Sequence, residues 1–273
     1  MTYFSKFPCG LTVVTAMAAS MAFADVPNGI TALEAGDVQE AAQLFQAAYD
    51  AGDPNGAFYL GRLFELGLGT DLDMRRAASL YALAAEDQSA LAQNRLGLMY
   101  LGGEFVLQDF ERAAELICAA AETGDANGQF NCGLLYAEGK GVTKDDAEAL
   151  TLWEAASSSD HIAATNYLAA AYRDGVGTPV DMQRSSELFG RTAAFGNPLG
   201  LYELARAYFA GTGVDQDLEQ AHAYANLASV RGVDEARSLR DEIGAQLDAD
   251  ALIRAQTIAR NWHAASPAQP DGE

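Results

Sequence analysis

The sequence predicts an all-α chain: a right-handed α/α superhelical solenoid of about five 36-residue helix-turn-helix repeats, closed by N- and C-terminal capping helices. Three observations predict it. The pair Leu60-Gly61 returns at 36-residue steps as Leu96-Gly97, Cys132-Gly133, Leu168-Ala169 and Leu204-Ala205, with no insertion or deletion. Gly67 returns as Gly103, Gly139, Gly175 and Gly211, and Asp73 as Asp109, Asp145, Asp181 and Asp217. Between these marks the apolar residues fall at helical spacing, as in Ala57, Leu60, Gly61 and Phe64. A fixed period of this length marks units that bury their apolar faces only against their neighbours.

Taken in order, residues 1–24 read as a secretory signal peptide. Lys6 supplies the positive end, Leu11 to Met21 an apolar stretch too short to span a bilayer, and Ala22-Phe23-Ala24 a small-residue cleavage site. The expected location is periplasmic or secreted, after cleavage following Ala24. The solenoid is predicted over 25–263, with an N-terminal cap over 28–52, repeats near 55–90, 91–126, 127–162, 163–198 and 199–232, and a C-terminal cap over 233–263. Residues 264–273 read as a disordered tail.

Each repeat justifies two helices. The first carries the apolar stripe, and its small residue (Gly61 in the first full repeat) permits close approach of a second helix. It ends at a glycine that can adopt the left-handed conformation. A corner of the form Gly67-Leu68-Gly69 follows, matched at Gly139, Gly175 and Gly211. Asp73 then caps the second helix, where a carboxylate satisfies free amide N–H groups and favours the dipole. Ala77, Leu80, Tyr81 and Ala84 form its buried face. Beyond Gly232 the period is lost, and Ile243, Leu247, Leu252, Ile253, Ile258 and Trp262 are expected to close the last apolar face.

Charge bounds the partners. Cleavage removes Lys6 and no acid, so the formal charge moves from −21 to −22 over 249 residues. Such a body repels phosphate backbones and anionic lipid, which argues against nucleic acid and membrane binding. It mildly favours a partner with a basic segment. Two cysteines survive cleavage, Cys118 and Cys132, each seven residues from the predicted hairpin centre at Asp125. Antiparallel helices would bring them level, as a disulfide or as two buried thiols.

The unit resembles the Sel-one-like repeat, an α/α relative of the tetratricopeptide repeat. The likeness is carried by Leu60-Gly61-x-x-Phe64, Gly67-x-Gly69, Asp73, Ala77, Tyr81 and Ala84-Ala85, and most fully by Gly133 to Val142 with Trp153 to Ala156. It implies protein-binding scaffolds or regulators, with envelope members among the bacterial ones. Some secreted members of the family carry a disulfide in each hairpin, although Cys118 and Cys132 lie about one turn further from the bend. The resemblance also raises an alternative, an envelope hydrolase of the penicillin-binding or β-lactamase type, for which the sequence holds no catalytic motif.

No cofactor, metal or catalytic residue is expected. Gly139-Lys140-Gly141 is the repeat's corner and lacks phosphate-loop spacing. His161, His222 and His263 lie on separate units without ligand spacing. Asp71/Asp73 and Asp215/Asp217 offer too few oxygens for calcium. By resemblance to tetratricopeptide arrays the first helices line a concave groove, and their variable positions become candidate contacts. These are Phe58, Arg62 and Glu65; Asn94, Leu98 and Leu101; Phe130, Leu134 and Ala137; Asn166, Ala170 and Arg173; Tyr202, Arg206 and Phe209. Phe130 and Leu134 can instead pack against neighbouring first helices. The Tyr202, Arg206 and Phe209 cluster has the composition of an interface hot spot. One corner departs from the rule: Phe105 stands where the others have their second glycine, either folding back on its own helices or forming a docking tip. The expected activity is a monomeric, non-enzymatic scaffold binding an envelope or secreted protein.

Overall fold

The computed structural model describes residues 26–103 and 105–265; residues 1–25, which hold the predicted signal peptide, Glu104 and residues 266–273 lie outside them. Fourteen α-helices and no strand occur among the described residues. The chain starts with α1 (Val26–Glu34) and α2 (Val38–Asp50). Five helix pairs follow: α3 (Pro54–Leu66) with α4 (Met74–Glu86), α5 (Ala90–Gly102) with α6 (Phe110–Glu122), α7 (Ala126–Glu138) with α8 (Asp146–Ser158), α9 (Ile162–Asp174) with α10 (Met182–Ala194), and α11 (Pro198–Ala210) with α12 (Leu218–Ser229). The closing helices are α13 (Asp234–Gly244) and α14 (Ala249–Asn261). From α1 to α13 each helix packs on the next in sequence, α14 folds back onto α12, and α3 also touches α5, α5 touches α7, and α11 touches α13. This is an all-α solenoid in which contacts run between helices that are neighbours along the array.

The caps are chemically uniform. Asp37, Asp73, Asp109, Asp145, Asp181 and Asp217 each accept a backbone N–H at the start of a second helix. Such caps contribute about 1 kcal/mol apiece. At every first-helix end a glycine in the left-handed region closes the turn, from Gly67 at φ 63° to Gly211 at φ 67°. The small residue of each first helix has its predicted role. A Cβ on Gly61 would lie 2.6 Å from the Tyr81 ring, and one on Gly133 2.5 Å from the Trp153 indole. The aromatic rings of the second helices therefore lie directly over those glycines.

The C-terminal cap differs from its prediction in detail. Ile243 is fully buried, but Ile253 is 60% exposed and points away from the closing face. Trp262, expected on the same face, does pack on the last core, beneath the Arg231 guanidinium at 4.7 Å.

Cys118 on α6 and Cys132 on α7 are joined as a disulfide with Cα atoms 5.1 Å apart. They share an apolar cluster with Ile117 and Leu135, so the link crosses one joint of the array. The chain-entropy argument gives roughly 3 kcal/mol for a loop of this length. Reduction is therefore expected to lower the urea midpoint, and equal midpoints with and without reductant would contradict a stabilising bridge.

Candidate functional site

The first helices bring the variable row together in two clusters, one at each end of the array. At the C-terminal end, Arg173 from α9 and Glu203 and Arg206 from α11 form a linked triad. The Glu203 side chain, 11% exposed, lies 3.2 Å from Arg173 and 3.0 Å from Arg206. Around it Tyr202, Phe209, Phe189 and Met182 line a cleft of about 440 Å³, with Leu239 of α13 also on its wall. Arg206 lies over the Tyr202 ring. Four of the sequence's candidate residues, Arg173, Tyr202, Arg206 and Phe209, thus line one concavity.

At the N-terminal end, Glu65 of α3 receives Arg62 from its own helix, Arg95 from α5 and the Tyr81 hydroxyl from α4. The Glu65 side chain is only 8% exposed. Its burial alone pushes the carboxyl up, but hydrogen bonds from Arg95, Tyr81 and Arg62 outweigh it and hold Glu65 below the usual carboxylate range. Burial raises the Tyr81 hydroxyl, and the Glu65 carboxylate raises it further. Each triad sets one glutamate between two arginines, and the pair that joins successive first helices is reversed between them. Glu65 meets Arg95 and Arg173 meets Glu203, each pair 30 residues apart in sequence.

Glu203 and Arg95 were not among the candidates. The i, i+3 spacing of Glu203 to Arg206 and the shared 30-residue offset are the signals that point to them. The triads also qualify the inference from net charge. Across the two clusters four arginines stand against Glu65, Glu203 and Asp174, so the row does not share the acidity of the body as a whole.

Between the triads the row is mostly apolar, broken by Asn94 and Asn166, and partly consumed by packing. Phe58 is half-buried against Tyr59 and Tyr81, with centroids 5.1 and 5.5 Å away. Phe130 is half-buried against His161 and Tyr167 of the next repeat, at 4.8 and 5.4 Å. Leu134 packs against the same core, and Leu98 packs against the core holding the disulfide. Much of the Phe130 side chain therefore serves the joint between repeats, whereas Phe58 packs on rings of its own repeat.

Phe105 does not fold back. It is 57% exposed beside Leu107, which is 89% exposed, and its backbone is left-handed at φ 66°. Elsewhere the second corner glycine presses on the start of the preceding second helix, where a Cβ on Gly213 would lie 2.0 Å from the Met182 carbonyl oxygen. A phenylalanine cannot make that approach, so its ring turns outward. Phe105→Gly is expected to relieve the left-handed strain and raise stability by about 1 kcal/mol. A lower melting temperature for this variant would mean that the ring holds the fold.

His161 replaces the Asp, Ser or Asn cap found on the other first helices. Its Nδ1 accepts the Ala164 N–H at 3.1 Å, while Nε2 lies 3.3 Å from Asn127 Oδ1. This arrangement needs a neutral ring, and burial lowers its proton affinity. His222 is buried with Nδ1 unpartnered, and burial together with the Arg240 charge lowers it too. Both groups bind a proton more weakly folded than unfolded. Their contribution is complete above the unfolded histidine value of about 6.5 and is lost as pH falls below it. Melting temperature should fall between about pH 7 and 5, before the carboxylates titrate, and His161→Asn should flatten that slope. A melting temperature constant over this range would refute the assignment.

The model of the Sel1 repeat family matches residues 28–53, 54–89, 90–125, 126–161, 162–194 and 198–232, which is most of the chain. The chain belongs to the Sel1 repeat family. The segment read as an N-terminal cap thus itself matches the family, as a sixth and shorter unit. No curated protein matches the chain. Among solved structures, a Sel1 repeat protein from Oxalobacter formigenes is 23% identical with a TM-score of 0.72, over 89% of this chain and 98% of that one. The protective antigen c5321 of uropathogenic Escherichia coli, which displays an SLR fold, is 22% identical with a TM-score of 0.56. That match covers 87% of this chain and 61% of the antigen. At these identities the likeness is one of fold. The Sel1 repeat fold is generally a protein–protein interaction scaffold, and the comparisons lend no support to the hydrolase alternative. Among the described residues no helix is long and apolar enough to cross a membrane.

Proposed function

We propose that this Sel1 repeat protein is a periplasmic or secreted, monomeric, non-catalytic scaffold or regulator that receives a segment of an envelope protein along its first-helix groove. The observation that carries the proposal is the cleft where Arg173, Tyr202, Arg206 and Phe209 converge. Aromatic and arginine side chains dominate binding energy at interfaces, and a concavity lets a partner bury them fully. The periplasmic placement rests on the leader over residues 1–24. The Cys118–Cys132 pair fits the oxidising compartment to which that leader would deliver the chain.

Crosslinking the protein in its native envelope and identifying the captured set tests the proposal. Tyr202→Ala combined with Arg206→Ala should remove specific members of that set. A captured set unchanged by the double variant rules out binding at this end of the groove. In the same preparation, reduction should raise the intact mass by the two hydrogens of one bridge.

A further inference from the structure

The position occupied by Arg62 reads, at successive repeats, Arg62, Leu98, Leu134, Ala170 and Arg206. Its two ends are guanidinium groups and its middle is aliphatic. The two arginines are held alike. Arg62 donates through Nη1 to Glu65 at 2.7 Å, and Arg206 donates through Nη1 to Glu203 at 3.0 Å. The bonds of both arginines to these glutamates run through Nη1, which leaves the Nε/Nη2 edge of each off its glutamate, and Tyr81 is a further partner of Arg62. That Nε/Nη2 edge is the one whose two parallel N–H groups match a carboxylate.

The carboxylates near these arginines are already committed. Glu65 holds Arg62, Arg95 and Tyr81, and Glu203 holds Arg173 and Arg206. Asp174 takes Nε and Nη2 of Arg173 at 2.8 and 3.0 Å. Each triad glutamate therefore fixes an arginine's orientation while its own charge is balanced by two guanidinium groups, which reduces the ordering cost of an incoming anion. A lysine arriving at either end would meet guanidinium groups and carboxylates without spare charge.

We infer that the groove takes a peptide segment with a carboxylate at each end of an apolar stretch, the ends gripped by Arg62 and Arg206 and the middle lying on Leu98, Leu134 and Ala170. The inference rests on the groove being the binding face and names the chemistry of what it binds. Arg62 and Arg206 stand four repeat steps apart, and at about 10 Å per helix diameter that is roughly 35–40 Å. That distance corresponds to about ten extended residues.

The test is selection from a random 16-residue peptide library on the purified, folded protein, in parallel with Arg62→Gln and Arg206→Gln. Both substitutions keep each glutamate on at least one other arginine, and a thermal melt confirms folding. Wild type should enrich aspartate or glutamate at both ends of an apolar stretch. Each variant should lose the acid at one end and bind the wild-type-selected peptides at least about tenfold more weakly, the scale of one charge-assisted contact. Enrichment of lysine or arginine, no enrichment, or acid selection unchanged in both variants overturns the inference. A photoreactive group on the selected peptides separates the two levels. Adducts on α5, α7 and α11 with basic-ended peptides would sink the carboxylate inference and leave the groove reading standing. Adducts confined to second helices would sink both.

Discussion

Gly141→Val is expected to break the array near its centre. Gly141 sits at φ 71°, where a β-branched residue is strongly disfavoured, and its Cβ would lie 1.9 Å from the Phe110 carbonyl oxygen. The obstructing atom is backbone at the first residue of α6, so no rotamer change relieves the clash. Left-handed strain and overpacking together are worth about 4 kcal/mol, on the order of a 10 °C fall in melting temperature for a chain of this size. Because repeats contact only their neighbours, the loss should appear as a second phase in the urea transition. The disulfide between α6 and α7 crosses the same joint and should keep the halves tethered, so reduction should widen the gap between phases. A single transition at the wild-type midpoint would show that the corner is not a packing contact.

Tyr81→Ala should be costlier still. Tyr81 is fully buried, lies over Gly61 and packs against Phe58. Removing an aromatic ring from such a site costs about 3–5 kcal/mol through lost burial and the cavity left behind. It also strips one hydrogen bond from Glu65, at about 1.5–3 kcal/mol for a charged acceptor. Tyr81→Phe separates these terms, because it retains the ring and deletes only the hydroxyl. Equilibrium denaturation should place Tyr81→Phe well above Tyr81→Ala, and equal losses in the two variants would locate the whole effect in the hydrogen bond.

Much of this molecule is legible in its repeat. The Asp73 series predicts the N-caps and the Gly67 series the left-handed closures, because each is a local backbone requirement met by one residue type. What escapes the sequence depends on geometry between repeats. The partnership of Glu203 with Arg173 runs through the rise from one first helix to the next, and the apolar stripe does not encode that distance. Phe130 and Tyr202 occupy the same position of their repeats, yet curvature spends one on the following repeat and leaves the other at the cleft. His161 is hidden for another reason: only a neutral ring with a free Nδ1 can cap a helix, and its residue type does not specify that state. The closing helices break the period, so the exposure of Ile253 could not be read from it.

The central claim, that the first-helix groove is the working face, is tested most directly by placing a photocrosslinking amino acid at Tyr202 in the groove or at Leu83 on the exposed side of α4, and irradiating cells that produce each form. A discrete adduct from position 202 and none from position 83 is the predicted result. A discrete adduct from position 83 with none from 202 would contradict it.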